Sequence, residues 1–178
     1  MDKKLLSEFK FFSDVSDDAL SVIAPKCDIL EFNSDDVVFN WGDKALNLYG
    51  VLEGEVELSL MFKEKIMKTD IEYEEAIRVR FDVLKKPIIV ERVGVGEVFG
   101  WTSLVGDAGS QWTATAQCSQ PVRAFSVPAA NLKAMFDKDP KLGYLIMGRV
   151  SEIVSLRLQN RTDKLIEAWG QAFEAGNI

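Results

Sequence analysis

The residues best suited to chemistry lie between Gly94 and Ala116, GVGEVFGWTSLVGDAGSQWTATA. Gly94 and Gly96 supply a turn that needs positive backbone dihedrals. Trp101–Val105 then reads as about one helical turn, a loop of small residues follows, and Thr113–Ala116 reads as a strand. A strand, a glycine turn, a one-turn helix and a second strand enclose a small concavity with helix N–H groups pointing outward. Free amides of that kind suit an anion or a polar ligand. The amides at Gly100–Ser103, the hydroxyls of Thr102, Ser103 and Ser110, and the carboxamide of Gln111 are the donors. Trp101 and Trp112 carry two readings: they stack on a planar ligand, or they fill the space a ligand would take.

Covalent and acid–base chemistry finds little support. The 178 residues include no histidine. That removes histidine metal triads, imidazole-held haem, and Ser-His-Asp or Cys-His catalysis. Glu97, Asp107 and the serines stand in no recognisable catalytic spacing. The reading is therefore a non-enzyme with no metal and no cofactor. Cys27 and Cys118 read as two buried, reduced thiols.

Elements must position this stretch. Residues 2–12 and 16–24 read as short helices, the second capped by Ser16. Strands follow at Ile29–Phe32, Val37–Phe39 and Leu46–Leu52, separated by turn-rich segments. Leu48–Leu58 alternates about Gly54 as a hairpin. Residues 62–86 form a long insertion, charged in its first half, with Ile77, Val79 and Phe81 alternating as an extra strand. It is either a partner-binding arm or lid, or a solvated long hairpin. Pro87–Val93 leads into the turn, and Val122–Val127 closes the sheet before Pro128.

Beyond Ala129 the period turns helical. One short helix is read at Asn131–Asp137 and a long one from Pro140 to about Ala168. Met147, Val150, Val154, Leu158, Leu165 and Trp169 recur at seam-like spacings, whereas Ile146, Ile153 and Leu156 can face the body of the chain. A helix apolar on two sides calls for two partners, the second a symmetry mate.

These motifs resemble the cyclic-nucleotide-binding domain family. Its phosphate-binding cassette reads Phe-Gly-Glu-Leu-Ala-Leu, a short loop, then Arg-Ala-Ala or Arg-Thr-Ala; Phe99, Gly100 and Leu104 match it. The resemblance implies a mainly β fold with helices, a jelly-roll (double-stranded β-helix) barrel flanked by N-terminal helices and a long C-terminal one. A single domain is expected, with helices over 1–27, the barrel over 28–127 including the 62–86 arm, and helices over 129–178. The implied ligand cassette is Phe99, Gly100, Trp101, Thr102, Ser103, Ser110, Gln111, Trp112 and Thr113. The family's ribose-binding Glu is replaced by Trp101. Its phosphate-binding Arg is replaced by Trp112, or by Gln111 with one inserted loop residue. Losing both charged partners costs on the order of 10²–10⁴ in affinity. By position on the long helix, Arg157, Asn160 and Arg161 would cap the pocket, or else lie on a solvated face. The helix would form a homodimer through Met147, Val150, Val154, Leu158 and Leu165.

A formal charge of −7 disfavours a free-standing nucleic-acid binder. No apolar run approaches a membrane span, and the first residues lack a signal-type core. The expectation is a cytoplasmic regulatory module that senses a non-standard ligand or binds a cyclic nucleotide weakly, without direct DNA or membrane binding. The alternative is a pseudo-binding scaffold, plugged by Trp101 and Trp112, that acts on an unidentified protein partner.

Overall fold

Among the described residues, alternating apolar positions build eight strands, which the computed structural model arranges as two antiparallel four-stranded sheets. Residues 1–73, 76–106, 109–174 and 176 are described, with backbone alone for 63–85. Asp107 lies outside them. One sheet runs β1 (Asp28–Phe32), β8 (Val122–Pro128), β3 (Asn47–Glu53) and β6 (Val98–Phe99). The other runs β2 (Val37–Phe39), β7 (Thr115–Cys118), β4 (Val56–Tyr73) and β5 (Ala76–Val93). This is the expected jelly roll. Its interior holds Val51, Val56, Val93, Phe99, Ala116 and Ala124, each at most 1% exposed.

A second apolar cluster lies beneath the helices. It joins α1 (Lys3–Ser7), α2 (Asp17–Ile23), α3 (Ala129–Phe136) and the start of α4 (Pro140–Glu174) to Phe125 and Val127 of β8. Ser16 caps α2 by accepting the Ala19 N–H at 3.3 Å, as its sequence context predicts. The single helix expected over 2–12 is instead α1 followed by a separate 3-10 turn at Lys10–Phe12. At about 100° per residue, one straight helix would splay Phe9, Phe11 and Phe12 around its circumference. The break turns all three inward, to 3%, 4% and 1% exposure, and Phe9 meets Phe125 edge-to-face at 4.9 Å.

Two further boundaries move. The strand expected at Thr113–Ala116 starts at Thr115, because the Trp112 N–H and C=O are held by Asp43 and Gly42 at 2.8 and 3.0 Å. The 62–86 insertion is a lengthening of the β4–β5 hairpin, paired from Val56↔Val93 to Tyr73↔Ala76. β7 pairs with β4 only over Val56–Ser59, so past that point the ribbon is two-stranded. α4 extends to Glu174, beyond the expected end near Ala168.

Candidate functional site

The β3–β6 pairing, Tyr49↔Phe99, carries the chain to Gly100. Gly100 has φ +77°, and a Cβ there would approach the Asn47 carbonyl at 2.9 Å and Trp112 at 3.2 Å. Conformation and space both require glycine. A 3-10 turn at Trp101–Ser103 follows, held from within. The Ser103 hydroxyl and N–H both donate to the Gly100 carbonyl, at 2.8 and 3.1 Å. The Ser110 hydroxyl donates to the Val105 carbonyl at 3.0 Å, and the Lys133 ammonium of α3 donates to the Gly106 carbonyl at 2.9 Å. Ser103 and Ser110, read from the sequence as ligand donors, therefore give their protons to the cassette's own backbone. Thr102 is half-buried, while Gln111 and Thr113 are exposed.

The two tryptophans part company. Trp112 is 4% exposed inside the barrel, stacked on Phe39 with centroids 4.0 Å apart and planes 17° apart. Tyr49 stacks on Phe99 at 5.1 Å, and Phe39 lies 6.0 Å from Phe99, so four rings fill the space behind the cassette. Trp101 points the other way. It packs on the helical cluster, with the Arg157 guanidinium 5.9 Å from its ring centroid.

Arg157 is the expected pocket-capping residue that reaches the barrel. Its Nε–H donates to Glu91 Oε1 at 2.7 Å and its Nη2 to the Val98 carbonyl at 3.3 Å. Its side chain is 11% exposed, and this burial pulls its pKa below the usual arginine value while Glu91 opposes the shift. Asn160 and Arg161 are exposed one turn on. The sequence reading missed Glu91. The signal available was a lone carboxylate in the apolar run Pro87–Val93, and the register sets it opposite Leu58. Its Oε2 is buried without a hydrogen-bond partner among the described residues. Beside this pair, a cleft of about 210 Å³ opens between α4 and the barrel, lined among others by Phe11, Glu97, Val98, Arg149 and Ile153. Arg149 anchors its far wall, donating to Asp14 at 2.6 Å and to Glu152 at 3.1 Å.

The expected dimer seam divides in two. Val150 is 2% exposed in the chain's own core, and Met147 and Val154 pack half-buried against that core. Leu158 and Leu165 remain 66% and 50% exposed. Leu156, read as facing the barrel, is 60% exposed at the cleft, because α4 has by then run past the helical cluster.

Solved structures share this fold. A protein described as cyclic nucleotide-binding, from Geobacter metallireducens, matches with 26% identity and a TM-score of 0.67, over 89% of this chain and 98% of its own. The fold is that of a cyclic-nucleotide-binding domain. A cyclic nucleotide-binding domain from Methylobacillus flagellatus matches at 19% identity and TM-score 0.65, over 93% and 80% of the two chains. The sensor domain of the transcriptional regulator DNR from Pseudomonas aeruginosa matches at 18% and 0.58, over 88% and 91%. No family model and no curated protein matches the sequence. Within the cyclic-nucleotide-binding fold, Trp112 occupies the barrel interior behind the cassette. No helix among the described residues is long and apolar enough to cross a membrane.

Proposed function

We propose that the chain is a non-catalytic regulatory module of cyclic-nucleotide-binding type whose own side chains fill its nucleotide pocket. The observation that carries this reading is Trp112, 4% exposed and stacked on Phe39 behind the cassette. A cyclic phosphate in the family's pose would need that space and would find no arginine there. The Ser103 and Ser110 hydroxyls, already donating to backbone carbonyls, add little. The module acts through protein contacts as a homodimer formed by the exposed part of α4, without direct DNA binding.

Calorimetric titration with cyclic AMP and cyclic GMP, with tryptophan fluorescence followed in parallel, tests the pocket. The expected result is no heat and no spectral change up to millimolar nucleotide. Micromolar binding would overturn the reading.

The cleft beside Arg157 favours a second reading, in which a different small ligand is sensed there. Arg157 touches Glu91, the Val98 carbonyl and the face of Trp101. A ligand entering the cleft would disturb all three, and the change would appear as a shift in Trp101 emission.

A further inference from the structure

The cleft beside α4 and the space filled by Trp112 lie on opposite sides of one short strand. Val98 and Phe99 are consecutive residues of β6, so their side chains leave opposite faces of the sheet. Phe99 joins Phe39, Tyr49 and Trp112 inside the barrel, whereas Val98 joins the helical cluster with Phe11. The cleft opens on the side of Val98. A molecule seated there needs neither the cassette nor the space that Trp112 takes.

The lining sets the chemistry of such a molecule. Phe11 and Val98 are 4% and 5% exposed, and Ile153 packs half-buried against the same cluster. Leu156, also on α4, leaves 60% of its surface exposed at the cleft. Most of the charged groups are already engaged. Arg149 donates to Ser13, Asp14 and Glu152, and Glu97 accepts the Gly94 N–H. Glu91 is the exception. A carboxylate offers about four acceptor sites. Arg157 Nε–H fills one of them, and Glu91 Oε2 has no hydrogen-bond partner among the described residues. A quarter of the Glu91 side chain is exposed, so it borders the cleft with acceptor capacity to spare. A donor carrying positive charge would sit beside the Arg157 guanidinium, where burial strengthens repulsion between like charges. A neutral N–H or O–H avoids that cost.

We infer that the cleft is a binding site for a small, uncharged, largely apolar molecule that donates a hydrogen bond to Glu91 and covers Leu156. This rests on the second reading above and names the ligand class of that site. The size fits. At about 210 Å³ the cleft exceeds the roughly 150 Å³ of a cavity that takes up benzene, so one or two small rings can enter.

The test titrates the full chain with indole and with 1-methylindole, a near-isostere that lacks the N–H donor. Methyl resonances of Val98, Ile153 and Leu156 report the cleft. The expected result is that indole shifts these methyls with a Kd of about 1 mM or below, and that 1-methylindole binds about tenfold more weakly. In Arg157→Met/Glu91→Leu, which removes the acceptor without leaving an orphan charge, the two probes should bind alike. Equal affinities in the wild type would overturn the donor to Glu91. A preference for indole that persists in the double variant would overturn it as well. Benzoate and benzylamine, charged probes of similar size, separate this inference from the reading beneath it. Shifts of the cleft methyls with either of these, but with neither indole, would overturn the uncharged class and leave the cleft as a sensing site. Silence of those methyls toward all four probes would overturn both.

Discussion

Gly50 shows how little room the barrel leaves. A Cβ there would overlap the Phe125 ring and come within 2.8 Å of Phe9. Gly50→Ala is expected to cost about 2–3 kcal/mol by overpacking, read as a lower urea midpoint at an unchanged slope. The thiols make a second residue-scale case. Burial raises Cys27 and Cys118 from 9.0 to about 11. Both should resist maleimide in the native protein and react once it is unfolded. The native state holds these protons more tightly than the unfolded chain. The stability they contribute is therefore complete below about pH 9 and is lost as pH rises toward about 11. Thermal melts across that window would check the sign. The turn at Phe99–Gly100, with the glycine at positive φ, was legible at this scale, because residue types alone carry it. The opposite destinations of Trp101 and Trp112 were not. An indole suits a core as well as a cleft, and only the Trp112 backbone bonds to Gly42 and Asp43 decide which it enters.

At the scale of elements, α4 meets the sheet through the Arg157–Glu91 ion pair and through hydrogen bonds from Arg157 and Lys164 to the Val98 and Val90 carbonyls. Arg157→Ala leaves the Glu91 carboxylate three-quarters buried without its guanidinium. It is expected to cost about 2–4 kcal/mol in denaturant unfolding, with a change in Trp101 emission. The paired change Arg157→Met/Glu91→Leu should recover most of that loss, because apolar groups of similar size fill the site without an orphan charge. The strands were readable from alternation. So was the existence of α4, although its length and the facing of Leu156 and Val150 were not. The period of a helix names its stripes but not which stripe the barrel covers. The cleft escaped the sequence for a related reason: Glu91 and Arg157 are 66 residues apart and meet only through the packing of α4 on β5.

For the whole molecule, burial is uneven. Helices α1–α3, the first half of α4 and the barrel share two continuous apolar clusters, whereas residues 161–171 of α4 are exposed throughout. A helix segment of that length is marginal alone in water. Its amides should exchange quickly in dilute protein and slow as concentration rises through the dimer Kd, whereas the amides of β3 and β8 should be indifferent to dilution. Concentration-independent exchange along α4 would contradict self-association. The jelly roll was foreseeable because several short strands with frequent turns admit few closed arrangements. The projecting hairpin was less so, since a charged insertion reads alike as loop or ribbon until its register is known.

The Arg157–Glu91 contact also has a mechanical meaning. It falls near the middle of α4, and the 17 residues beyond it, to Glu174, span about 25 Å at 1.5 Å per residue. With that contact as fulcrum, a tilt of about 10° sweeps the far end through about 4 Å. A displacement too small to notice inside the cleft arrives at Phe173 as the width of a side chain.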